Sequence, residues 1–339
     1  MTAIFFVRAN RSLPSAWFRR WRYRLIRAVI LVLFSLEVPA QVNLPDSVPP
    51  VLLVVPDKNA PYSGFLDGFS ECFGSSVDGR PPYDVKTVDQ VAAEPTSFES
   101  YRVVAVGTGA TRLLFDHPDS PSFSASLLPA VVIRELLSGE ADPGPRSLET
   151  AFVIDQPISR RLFLIRSLLP EASTLSVVFG PESASIEDEL TREAKALGFA
   201  LNTASIKSGD DLLQVVKPLL DNSDAMLLLY DPALTSPRAI RFLLYSAYRR
   251  QVPVFGYSEG YVKAGAIAAV HSSPEALGCQ VAEHFSRQSV LTSGTPVQER
   301  PLFIFPFYYQ YSLNETVAQS LGLSLSLVPP GNPAPEEKP

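Results

Sequence analysis

The feature that most constrains this chain is Val51-Leu-Leu-Val-Val55, five apolar residues in a row. A strand built from such a run has no polar face to offer water. It must be covered on both sides, as strands are in parallel sheets flanked by helices. Residues 103–106, 129–133 and 151–154 repeat the pattern and are expected as further strands. Helical stripes lie between them. Phe65, Phe69 and Phe73 recur every four residues, and the turn Gly107-Thr108-Gly109 leads into a helical stretch at 110–115. Near residue 156 the pattern restarts. Leu162, Ile165 and Leu169 line a helix that Pro170 ends, and 175–179 reads as a strand. Ile186, Leu190, Ala194 and Leu197 line the next helix, closed by Gly198, and a strand follows at 225–229. Ser236-Pro237 then caps a helix carrying Ile240, Leu244 and Ala247, ahead of strands at 252–255 and 266–270. Strands alternating with helices predict parallel sheets with right-handed crossovers, and the restart predicts two of them.

Length agrees, since about 300 residues beyond the leader exceed what one core holds. That leader, residues 1–40, reads as a secretory signal. Seven arginines precede an apolar run at 28–36, which closes on Val38-Pro39-Ala40. The run is too short for the roughly 20 residues of a membrane span, so cleavage and a periplasmic location are expected, with an uncleaved anchor as the minority reading. No cysteine follows it as a lipid attachment point. Seven of the 29 basic and one of the 35 acidic residues lie in the leader, which leaves 34 acids against 22 bases and a net charge of −12. That balance argues against nucleic acid as a partner. The three histidines have no metal-ligand spacing, and no cofactor or metal is expected. Cys72 and Cys279 form either one disulfide or two separately buried thiols, the second being slightly favoured. Residues 329–339 are rich in Pro and Glu and are expected to be a disordered tail.

In open α/β sheets the ligand sits beyond the carboxyl ends of the strands, so function is expected in those loops. One of them, Gly256-Tyr-Ser-Glu-Gly260, fits the G-x-S-x-G pattern of a nucleophile elbow. An elbow needs a helix next and then an acid and a histidine. Here the strand-like run 266–270 follows, no aspartate comes after Ser258, and Glu275 and His284 read as parts of one helix. A serine hydrolase using Ser258 is a remote alternative. Gly107-Thr-Gly109 opens a G-x-G-x-x-G, but Arg112 stands at the third glycine, against a dinucleotide site.

The segment Pro253-Val-Phe-Gly-Tyr-Ser-Glu-Gly-Tyr-Val-Lys-Ala-Gly-Ala-Ile-Ala-Ala-Val-His-Ser-Ser-Pro-Glu-Ala-Leu-Gly278 resembles the closing part of ABC transporter substrate-binding proteins of the type I periplasmic binding protein fold, the subfamily with tryptophan- and tyrosine-binding members. Val104-Ala-Val-Gly-Thr-Gly-Ala110, Ser167-Leu-Leu-Pro170, Leu313-Asn314-Glu315, Ala318 and Leu321-Gly322-Leu323 are similar to further family stretches, in order. The resemblance implies two doubly wound α/β lobes joined by three crossings. Lobe 1 is expected at 48–155 plus 273–299 and lobe 2 at 156–272 plus 300–325. Both cysteines then fall on helices of lobe 1, where a disulfide is possible. The loop at 57–64, Arg134-Glu135 after the expected strand 129–133, and the loop at 180–184 depart from the family's letters.

The function implied is a periplasmic, non-enzymatic protein, monomeric, that captures a small amino-acid-like molecule for an ABC permease. The alternative is a sensor that signals to another membrane partner. Tyr62, Tyr230 and Tyr261 are candidates to grip a flat or apolar ligand, and Tyr257 points either there or into its lobe. Asp231 and Glu259 are candidates to pair with an ammonium, and Asn59, Thr108, Ser183 and Ser258 to supply neutral hydrogen bonds.

Overall fold

Among the described residues twelve strands form two sheets of six, and each sheet is built in the same order. The strands of the first are β1 (Val51–Val55), β2 (Tyr83–Thr87), β3 (Arg102–Val106), β4 (Phe123–Leu128), β5 (Leu148–Val153) and β11 (Leu302–Ile304). Those of the second are β6 (Thr174–Phe179), β7 (Ala200–Ser205), β8 (Ala225–Leu227), β9 (Val254–Gly256), β10 (Ala268–His271) and β12 (Gln310–Leu313). The structure is a computed structural model and describes residues 49–73, 83–93, 97–138, 148–288, 302–323 and 331. The expected signal segment and all of the tail except Gly331 lie outside these residues.

The strand orders are β2-β1-β3-β4-β5-β11 and β7-β6-β8-β9-β10-β12. Every pairing is parallel except β10 with β12. This is the doubly wound arrangement, whose ligand crevice lies beyond the carboxyl ends of the strands. The apolar runs behave as their composition requires. Val51, Leu53 and Val55 pack with Phe65, Phe69 and Phe285 on one face, while Leu52 and Val54 pack with Leu114 and Phe123 on the other. The second sheet divides likewise, Leu175, Val177 and Phe179 to one side and Val178 with Met226 and Leu228 to the other.

The expected strand at 129–133 is instead the start of a helix, Ala130–Ser138, and the strand there is β4, just before it. Four apolar residues in a row suit a buried helical turn as well as a strand, so pattern alone does not separate them. The N–H of Ala130 is taken by the Asp155 carboxylate at 2.6 Å, which fixes the first turn. Arg134 and Glu135 are thus exposed helix residues rather than a strand-end loop. The edge strands β2 and β7 are mostly half-exposed and carry no apolar run to announce them.

The boundary expected at residue 300 is corrected by β11, which pairs with β5 in the first sheet, Phe303 opposite Ala151. The chain passes to the second sheet only between β11 and β12. Cys72 and Cys279 form a disulfide, against the favoured reading of separate thiols. It joins the helices Tyr62–Cys72 and Pro274–Gln288. Gly68 and Gly278 let these helices touch backbone to backbone: a Cβ at Gly68 would fall 2.0 Å from the Glu275 carbonyl oxygen, and one at Gly278 2.0 Å from that of Phe65.

Candidate functional site

Between the two sheets lies a cavity of about 330 Å³, lined by strand-end residues of both. From the first sheet come Leu127, Pro129, Ile154, Asp155 and Gln156; from the second come Tyr230, Tyr257, Ser258, His271 and Ser272. Arg161, in the helix Ile158–Leu168, also lines it, and Pro61, Pro274 and Leu277 complete the wall. Leu127 is aimed by a defect in β4. Its φ is +61°, a left-handed conformation that a leucine adopts at some cost, and the register with β5 shifts between Ser126 and Leu128.

Polar groups of the cavity are held unequally. The Arg161 guanidinium is buried and donates to the Leu228 carbonyl, while its Nε has no partner among the described residues. Burial lowers its pKa to about 10, opposed by the charge of Asp155, so it remains a cation at neutral pH. Asp155 is held above the usual carboxylate range, by burial first, with the Ala130 N–H and Arg161 acting the other way. Burial also raises the phenols of Tyr230 and Tyr257, so both stay neutral hydrogen-bonding rings. The two rings meet edge to face at 5.9 Å. His271 bonds Ser312 at 2.8 Å, and burial holds its pKa below the ordinary value, which favours the neutral ring.

The three crossings between sheets are tied together beside the cavity. Gln156 Nε2 of the first donates to Ser272 Oγ of the second at 2.9 Å, and Ser272 Oγ donates to the Tyr308 carbonyl of the third. Arg160 closes the ring, donating to Gln156 Oε1 at 2.6 Å and to the Pro306 carbonyl at 2.9 Å, with its guanidinium 3.8 Å from the Tyr309 ring centre.

Of the residues singled out from the sequence, Tyr230, Tyr257 and Ser258 line this cavity. Asp231 does not: it is fully buried and saturated by its own lobe. Its Oδ2 accepts from Ser183 Oγ at 2.9 Å, Ser183 N at 2.8 Å and Glu182 N at 3.0 Å, and its Oδ1 from Ala233 N at 2.9 Å. Ser183, also fully buried, belongs to the same lock. Glu259 faces outward and pairs with Lys263 at 2.8 Å, which keeps its pKa low. Tyr261 is buried in the core of the second lobe, its hydroxyl 2.8 Å from that of Tyr257. Asn59 is exposed beside Asp57, Tyr62 packs on the turn at Gly107, and Thr108 sits half-buried in the helix Gly107–Asp116; none of the three lines the cavity. Asp155, Gln156, Arg161, His271 and Ser272 were missed. Asp155 and Gln156 follow an expected strand directly, and Arg161 interrupts an apolar helical stripe, so both signals were present in the letters.

A short helix, Glu259–Ala264, lies between Ser258 and the expected strand at 266–270, which is present as β10. Ser258 nevertheless has ordinary extended backbone and no hydrogen bond to a histidine. Among the described residues no group of acids, histidines and cysteines is placed to hold a metal ion, and no helix is long and apolar enough to cross a membrane.

The sequence profile of the family described as ABC transporter substrate binding protein matches residues 150–326. Among curated proteins, none matches. Several solved structures share the fold. An ABC domain from Streptococcus pneumonia in complex with L-Trp is 18% identical over 82% of this chain and 96% of its own, with a TM-score of 0.54. A ligand-free, open substrate binding protein with adhesive properties from Clostridium difficile is 17% identical over the same shares, 82% and 96%, with a TM-score of 0.62. A conserved domain protein from Vibrio cholerae is 20% identical, again over 82% and 96%, with a TM-score of 0.51. At such identities the likeness bears on fold alone, and the expected two-lobed α/β class of the type I periplasmic binding proteins is borne out.

Proposed function

Because the chain belongs to the family of ABC transporter substrate binding proteins, we propose that its inter-lobe cavity captures a small amino-acid-like molecule for import by an ABC permease. The family is one of binding rather than catalysis and implies a small-molecule ligand and a permease partner. The observation that carries the narrower reading is the cavity itself. Its volume of about 330 Å³ falls within the range of small-ligand sites. Its wall is aliphatic and aromatic, and a few polar groups converge on it from both lobes. The L-Trp complex of the Streptococcus pneumonia domain makes an amino acid the first class to try. Export by the leader, a periplasmic location and action as a monomer belong to the same proposal, and the low positive charge beyond the leader supports a small solute over a nucleic acid.

The test is a thermal-shift screen of the purified protein against the twenty L-amino acids and a set of nucleobase-like compounds, followed by calorimetry on the responders. A ligand at 100 times its Kd stabilises by about 2.7 kcal/mol, a readily visible rise in Tm. A response confined to one or a few amino acids is expected. A uniform lack of response would sink the reading.

A further inference from the structure

We propose that Arg161 and Asp155 are the two poles of the ligand site, Arg161 receiving a carboxylate and Asp155 an ammonium, so that the ligand is a zwitterion of the α-amino-acid kind. The proposal rests on the cavity being the ligand site and adds which residues read the ligand's charges.

Among the lining residues Arg161 is the one guanidinium and Asp155 the one carboxyl group, while burial favours the neutral ring of His271. Neither is saturated. Arg161 offers five N–H groups, yet among the described residues it donates only to the Leu228 carbonyl, and its buried Nε has no acceptor among them. A buried unpaired donor is costly, and a carboxylate is the group whose geometry fits a guanidinium edge. Asp155 accepts one N–H from outside its own residue, that of Ala130 at 2.6 Å, and so keeps lone-pair capacity for a further donor. The two charges attract each other but form no ion pair; the pairs in the described residues lie elsewhere, at Arg250–Asp221, Lys263–Glu259 and Arg287–Glu283. A zwitterion satisfies both without the two having to meet.

Their anchorage adds a second argument. Asp155 is tied to the first lobe through Ala130, and Arg161 to the second through Leu228. A ligand with both charges is gripped by both lobes, whereas one with a single charge is gripped by one. Differential contact of this kind is what allows a ligand to favour one lobe arrangement over another. The remaining wall near the poles, Leu127, Tyr230 and Tyr257, suits an apolar or aromatic side chain.

The experiment is calorimetry with matched triplets: L-tryptophan, tryptamine and indole-3-propionate; L-leucine, 3-methylbutylamine and 4-methylpentanoate. These are preceded by the twenty L-amino acids on the wild-type protein. In at least one triplet the amino acid should bind about 30-fold or more tightly than either single-charge analogue. Arg161→Met should lose at least that factor for the amino acid and no longer prefer it over the amine. Asp155→Asn should no longer prefer it over the acid. Thermal unfolding checks that each variant is folded, and should Arg161→Met fail to fold, Arg161→Lys carries the test, with a smaller loss. If an amino acid binds but the Arg161 and Asp155 variants keep both affinity and charge preference, the assignment is overturned and the cavity reading survives. If the single-charge analogues bind as well as the amino acid, the poles are equally overturned. If no amino acid binds the wild-type protein, the proposed function and the assignment fall together.

Discussion

Asp155 and Asp231 are both aspartates in loops just beyond buried strands, one after β5 and one after β8, and the two loops use them in opposite ways. Asp231 is enclosed by its own lobe, with four N–H or O–H donors aimed at it. Gly180 leaves the room: a Cβ there would come within 2.2 Å of the Asp231 carboxylate. Asp155 faces the cavity and accepts one N–H from outside its own residue. The first carboxylate builds a loop, and the second is left for something the loop does not contain. A strand-end position therefore brings a residue to the right edge of the sheet without deciding which way it turns. Local donors decide that.

The comparison can be broken most forcefully at Asp231. Asp231→Ala strands four donors in a buried loop and should cost about 3–5 kcal/mol in urea unfolding, while the folded fraction keeps its ligand affinity. A variant of unchanged stability that loses binding would reverse the roles given to the two aspartates. Of similar or smaller size is the Cys72–Cys279 bond, which staples the first lobe far from Asp231. Cys72→Ser with Cys279→Ser should lower stability by about 2–5 kcal/mol and leave affinity intact. Non-reducing and reducing thermal scans check it, and coincident scans would contradict it.

Asp155→Asn should act in the other direction on stability. Burial raises the folded pKa of Asp155, so the folded state favours its protonated form, and its ionisation weakens the protein as pH rises through that pKa. The amide has no charge to desolvate. The ligand-free variant should therefore be more stable than the wild type at neutral pH, with the gain vanishing as pH falls below the carboxylate's pKa. Paired urea curves across this range read it, and a loss of stability at neutral pH would contradict it. The smallest effect is expected at the crossings. Ser272→Ala removes the link between Gln156 and the Tyr308 carbonyl, at about 1 kcal/mol of stability and less than tenfold in affinity. A larger loss of affinity than of stability would show that Ser272 touches the ligand directly.

How much of this was legible follows from the same physics. The central strands were, because Val51–Val55 and its counterparts must be covered on both faces, and the restart near residue 156 announced the second lobe. The edge strands β2 and β7 were not, because polar residues such as the exposed Asp84 and the half-exposed Asn202 leave no apolar signature. Residues 129–133 were not, because a buried helical turn and a buried strand share their letters, and Arg134-Glu135 accordingly sit on a helix and not at a strand end. Tyr230, Tyr257 and Ser258 do line the cavity, whereas Asp231, Ser183 and Tyr261 turn inward to partners that only the folded loops reveal. Arg161 left a trace in the sequence as an arginine on the buried side of the helix with Leu164, Ile165 and Leu168.

A crystal structure of the protein grown with its best-binding amino acid tests the central claim most directly. The account predicts the ligand in the cavity between the sheets, its carboxylate against Arg161, its amino group against Asp155 and its side chain between Leu127 and the Tyr230 and Tyr257 rings. A ligand bound at Asp231 or Glu259, or outside the inter-lobe cavity altogether, would contradict it.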